Sequence, residues 1–155
     1  MAYPRTSSLD FLQRCSPAIA TFYRLWDGKR AGRGMPARKD IDVLELKPWL
    51  PGIILVDVLW NPYRCLYRLV GSRVVAIKGK DPTGRPLSEG AHGEQLVETL
   101  EDYRIVTHEQ KPVYDWDNTA VLEQFMRYSE VLMLPLSNDD QLVNMVIAYL
   151  EVAPL

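Results

Sequence analysis

The side chains best suited to covalent or metal chemistry in this 155-residue chain are two cysteines, Cys15 and Cys65, and two histidines, His92 and His108. Their placement does not assemble a reaction centre. No G-x-S-x-G, H-E-x-x-H, phosphate-binding glycine loop or paired-cysteine motif occurs, so nothing sets a nucleophile beside its base. Cys65, His92 and His108 can be drawn together only across separate elements, with no local signature, and a structural thiol is the simpler role for Cys65. His108 falls near the end of a predicted helix, where the helix dipole alone favours it. The run Asp115-Trp116-Asp117-Asn118 resembles the start of a calcium loop, but the glycine and distal glutamate that would complete it are missing. No catalytic residue and no metal site are expected.

Non-covalent binding is the better match. A sheet covered by short helices leaves a space between the two layers, where a small ligand would sit. Its expected lining is Tyr67 and Leu69 from a strand, Val74 and Ile77 from a short helix, Leu100 and Tyr103 from a long helix, and Tyr128, Met133 and Met145 from late strands. The same residues serve equally as a filled core, because protein interiors pack closely and leave few voids. The tyrosines are the informative members, since a buried hydroxyl needs a partner. Arg68 and Asn144 are the polar anchors this lining offers, an arginine being able to hold a carboxylate by two parallel hydrogen bonds. The competing role for Arg68 is pairing with Asp57 or Glu130, or exposure on a wet sheet face.

These side chains need elements to carry them. Residues 65–70 alternate with period two and read as a strand stopped by Gly71. Ser72 can cap a short helix with Val74, Val75 and Ile77 on its apolar side, and Gly79 suits the helix end. Asp81-Pro82-Thr83-Gly84 is a turn signal. Residues 52–60 form an apolar strand that turns at 61–63 and pairs back on 65–70 as a hairpin. Leu96, Leu100, Tyr103 and Val106 recur at helical intervals over 92–109, and three more strands follow near 112–116, 125–135 and 142–152. Ahead of all these, Ser16-Pro17 starts a helix whose Ile19, Phe22, Tyr23 and Trp26 form a wide apolar stripe. That stripe either folds back on its own sheet or pairs with a second subunit.

Composition sets the frame. Hydrophobic residues at 47%, charged residues at 25% and a net charge of −2 are ordinary for a globular chain and give no pull towards nucleic acid or anionic membrane. The basic run over 24–40, with Gly32 and Gly34 inside it, reads as a solvated connector. The longest apolar run, 52–60, is far short of the ~20 residues a membrane span needs. Two thiols and no secretion-type start point to a reducing cytoplasm. One structural domain is expected, with residues 1–51 as a helix and connector packed on a core of 52–155.

The order YRLVGS then GKDPTGRPL resembles the centre of a PAS domain, in which a strand leads through a glycine into a short helix and a D-x-T-G corner. The run from Trp26 through Gly34-Met35-Pro36 to Trp49-Leu50-Pro51, with Leu134-Pro135-Leu136-Ser137 downstream, is similar to a bacterial single-domain PAS subfamily of unassigned function. The resemblance covers roughly residues 16–152. It implies an α+β fold, a PAS-like five-stranded antiparallel sheet with helices on one face and an N-terminal helical extension. It also implies a sensory or signalling module that binds a small ligand, a protein partner or both, without catalysis. The alternatives are an adaptor with a closed core and a small-molecule enzyme on the same scaffold. Some haem-binding PAS domains carry an iron ligand near His92 or His108, and photosensory ones use an Asn-Cys-Arg motif on a helix. Here neither histidine sits in a ligand motif and Cys65 lies on a strand, so haem and flavin are not expected and the cofactor is left open. A homodimer through the N-terminal helix or the outer sheet face is expected, with no nucleic acid and no membrane as partner.

Overall fold

The computed structural model describes residues 4–89, 93–122 and 125–154. Its strands are β1 (Arg5–Thr6), β2 (Ile53–Leu59), β3 (Arg64–Val70), β4 (Val113–Leu122), β5 (Phe125–Leu136) and β6 (Met145–Pro154). Three α-helices, α1 (Pro17–Arg30), α2 (Ser72–Lys78) and α3 (Gly93–His108), and several short 3₁₀ turns complete the described elements. The strands form one sheet in the order β1-β4-β5-β6-β2-β3, with every neighbouring pair antiparallel. The two strands before the middle helices and the three after them are those read from periodicity. The sixth, β1, is two residues long and pairs Arg5 with Asp115 and Thr6 with Tyr114, too short to leave any alternation in the sequence.

Both faces of the sheet are covered. On one, α1 lays Ile19, Phe22, Tyr23 and Trp26 against Leu132, Leu134, Leu136, Ile147 and Tyr149. Phe22 and Tyr149 have ring centroids 5.5 Å apart, and the Trp26 indole donates to the Pro135 carbonyl at 2.9 Å. The apolar stripe of α1 therefore folds onto its own sheet, and the outer face proposed for a partner is occupied by this helix. On the opposite face α2, α3 and the turn Leu87–Glu89 pack Val74, Leu87, Tyr103 and Val106 onto Val56, Val58, Cys65, Tyr67, Met133 and Val146. Coverage on both sides explains why β2 reads as a continuous apolar run, while β3 at the sheet edge alternates.

Local chemistry fixes these pieces. Ser16 caps α1 by accepting from the Ile19 N–H, and Pro17 occupies the first helical turn. Glu130, buried on β5, accepts from the Ser16 backbone N–H at 3.0 Å and from the Tyr114 hydroxyl at 2.6 Å, so one carboxylate ties the start of α1 to the sheet. Gly71, not Ser72, is the residue that caps α2, and it does so without a side-chain bond. A Cβ there would lie 2.4 Å from the carbonyl oxygens of both Leu50 and Pro51, so the close backbone approach demands glycine and pushes Ser72 out to the surface. In the connector, Lys29 pairs with Glu45 and Arg33 with Asp40, each at 2.8 Å, and Arg30 pairs with Asp27. Much of the basic run is thus spent on local acids.

Candidate functional site

A cleft of about 800 Å³ opens between α3, the turn Leu87–Glu89 and the beginning of β3, and reaches Arg5 of β1. Its floor is formed by Cys65, Leu87 and Tyr103, all buried. Its α3 wall carries Val97 and Leu100, which remain 65% and 43% exposed. Large apolar side chains open to water beside a concave floor are the unusual feature, since single exposed apolar residues elsewhere need no explanation.

One end of the cleft is an aromatic corner. The ring of His108 lies 4.6 Å from that of Tyr63 and 5.1 Å from that of Trp60, each edge-on. The Tyr63 hydroxyl is 2.8 Å from the Thr107 hydroxyl, which is also 3.2 Å from His108 Nδ1, and the Cys65 thiol points to Tyr63 at 3.5 Å. Burial, with the Cys65 contact, raises the Tyr63 phenol above its usual range, and burial pushes the Cys65 thiol up against a smaller opposing effect of Tyr63. A raised thiol is a poor nucleophile, because the thiolate is the reactive form.

The charged walls are internally compensated. Arg5 donates to Asp102 at 2.6 Å and pairs with Glu98; Arg104 pairs with Glu101 at 2.7 Å and with Glu109 at 2.9 Å. Arg64 alternates with inward-facing Cys65, stands opposite Leu59 and is exposed. Beneath Arg5, Asp102 hydrogen-bonds Asp115, and burial raises its carboxyl above the ordinary value despite the opposing pull of Asp115 and Arg5. Two carboxyl groups can hydrogen-bond each other only by sharing a proton. This cluster joins α3 to β1 and β4.

The residues anticipated for a pocket separate into groups. Tyr67, Val74, Tyr103 and Met133 come together under α2 and α3 as packed core, with burial alone pushing the Tyr67 phenol up to about 12. Of those with described side chains, only Leu100 and Tyr103 border the cleft. Ile77 is half-buried on α2. Leu69 is not on the helix side: a bulge in β3 pairs Val56 with Tyr67 but Leu55 with Leu69, which moves Leu69 to the opposite face and leaves it 40% exposed. Met145 also belongs to the α1 face, alternating with Val146. The side chain of Tyr128 and all of His92 lie outside the described residues. Arg68, the extra residue of the bulge, faces solvent 3.7 Å from Asp57. Asn144 accepts from the Asn138 N–H at 3.0 Å and so ties the β5–β6 loop. Tyr63, Leu87 and Val97 were not anticipated. The available signal was on α3, where Val97 extends the apolar set of Leu96, Leu100, Tyr103 and Val106 beyond one face of the helix. Among the described residues no group of three His, Cys, Asp or Glu side chains could hold a metal ion, and no helix is long and apolar enough to cross a membrane.

The profile of the PAS domain family matches residues 14–150, nearly the whole chain and every element bordering the cleft except β1. The chain belongs to the PAS domain family. The α+β architecture expected from the strand, glycine, helix and D-x-T-G order is thereby confirmed. Among solved structures, an RNA-binding light-oxygen-voltage receptor is similar to this PAS domain over 75% of the chain, with 14% identity and a TM-score of 0.46. The chain spans 35% of that receptor's length. No curated protein shows significant similarity to this PAS domain.

Proposed function

We propose that this PAS domain is a sensory module whose input is a small molecule held in the cleft between α3, the Leu87–Glu89 turn and β3. The observation that carries the proposal is the cleft itself: about 800 Å³ in volume, floored by Cys65, Leu87 and Tyr103, with Val97 and Leu100 uncovered in its wall. Ligand pockets of about 300–1,000 Å³ are typically apolar concavities of this kind. Occupancy would be felt first by α3. That helix is tied to β1 through Arg5 and to β4 through the Asp102–Asp115 contact, so a small shift of α3 would load the sheet edge that carries the chain's leading segment. Catalysis is not part of the proposal: no sequence motif sets a nucleophile beside its base, and burial raises the Cys65 thiol, which disfavours the reactive thiolate.

A thermal-shift screen of a broad metabolite set tests it. A compound bound only by the folded state at a hundredfold over its Kd stabilises by about 2.7 kcal/mol, which for a domain of this size is a rise of roughly 5–10 °C. The rise should vanish in Val97→Asp, a change at a position 65% exposed, where substitutions usually cost little stability. A screen in which no compound shifts the wild type more than this variant would refute the cleft as the input.

A further inference from the structure

We infer that the cleft takes a neutral, predominantly apolar small molecule rather than an organic anion or cation. The inference rests on the ligand-binding proposal above and specifies its chemistry. The charged side chains on the α3 and β1 walls of the cleft are already engaged. Arg5 is held by Glu98 and Asp102, and Arg104 by Glu101 and Glu109. Arg64, also in the lining, is exposed to water, and its guanidinium donates to the Pro62 carbonyl at 3.4 Å. The polar groups of the aromatic corner are likewise committed to one another, Tyr63 to Thr107 and Thr107 to His108. No buried side-chain nitrogen or oxygen among the described residues lacks a partner. A ligand charge buried against the α3 and β1 walls would surrender hydration and meet there only ions that are already neutralised, which is unfavourable. An apolar body would instead cover Val97 and Leu100 and rest on Leu87 and Tyr103.

Two dyes with one skeleton isolate the charge. N-phenyl-1-naphthylamine is neutral at pH 7, and 8-anilinonaphthalene-1-sulfonate is the same aromatic frame bearing a sulfonate; both fluoresce on leaving water. The full chain should bind the neutral dye at one site, with a Kd at least tenfold below that of the sulfonate. Leu100→Glu should weaken the neutral dye at least tenfold with its melting temperature unchanged, whereas Leu44→Glu, at a 77% exposed position away from the cleft, should leave binding as it was. Sulfonate binding as tight as or tighter than the neutral dye, and lost in Leu100→Glu, would overturn the neutral class while upholding the cleft as a ligand site. Binding of neither dye would overturn both. Neutral-dye binding that survives Leu100→Glu would place it elsewhere and overturn the inference. Sedimentation showing self-association that Leu100→Glu abolishes would do the same, by making a second copy of the chain the occupant of this wall.

Discussion

Replacing Glu130 by alanine should be among the most damaging single substitutions in this fold, although the residue is a carboxylate and belongs to no proposed site. Its Oε1 accepts from the fully buried Tyr114 hydroxyl at 2.6 Å and from the Ser16 N–H at the start of α1 at 3.0 Å. Truncation removes the charged acceptor of both. A stranded buried donor costs about 1–3 kcal/mol, so losing the carboxylate costs on the order of 2–5 kcal/mol, part of the Ser16 donor being relieved by water. With a urea m-value of about 2 kcal/mol per molar, the unfolding midpoint should fall by roughly 1–2.5 M at unchanged m. Tyr114→Phe removes one donor without stranding the hydroxyl and should be milder. Because the two residues share one bond, their double mutant should recover about 1.5 kcal/mol or more relative to the sum of the single changes. Hydrogen exchange gives a second readout: the amides of Ile19 and Ala20 should lose protection in Glu130→Ala before the strands do. A midpoint shift below about 0.5 M, or single changes that sum without coupling, would refute the idea that this carboxylate anchors the helix.

Two further outcomes follow from other parts of the fold. Gly71→Ala would bring a methyl group to 2.4 Å from two backbone carbonyl oxygens, so it should cost about 1–3 kcal/mol in urea unfolding, a penalty that Ser72→Ala at the neighbouring exposed position should not share. Burial holds the Asp102 carboxyl above its ordinary value, in a site it shares with Asp115, Arg5 and Glu98. The proton it retains on folding contributes stability that is full below the unfolded value near pH 4 and is lost as the pH rises through the folded one. The wild type should therefore gain melting temperature from this group as the pH is lowered towards 4, Asp102→Asn should flatten that gain, and curves that stay parallel for wild type and variant would remove Asp102 as the source. Surface carboxylates held low by their partners, such as the half-buried Asp40 and Glu45, act in the opposite direction at lower pH and cancel in this comparison.

Elements with a strong period are legible in the amino-acid order alone. The stripe of Ile19, Phe22, Tyr23 and Trp26 and the alternation of Cys65 and Tyr67 both report burial on one side, and both sit where expected. What escaped was set by events that leave no periodic trace. The bulge at Arg68 adds one residue to β3, and that single insertion turns Leu69 from the helix side to the other face. The cap of α2 went to Gly71 because of the 50–51 backbone, which is remote in sequence from the helix it constrains. The lining of the cleft was legible only in part. Leu100 and Tyr103 carry helical periodicity, while Tyr63, Leu87 and Arg5 reach the cleft through the turn, the 3₁₀ segment and a two-residue strand that no pattern announces.

A sheet packed on both faces divides the interior into two separate compartments. Phe22 and Val106 sit in different ones, with the strand backbones between them and no side chain in common. Damage to either should then leave the other's packing whole, and paired truncations, one from each compartment, should cost the simple sum of their parts to within about 0.5 kcal/mol. Residues of the α3 flank, where the proposed cleft lies, can then be varied without disturbing the packing of α1 on the other face.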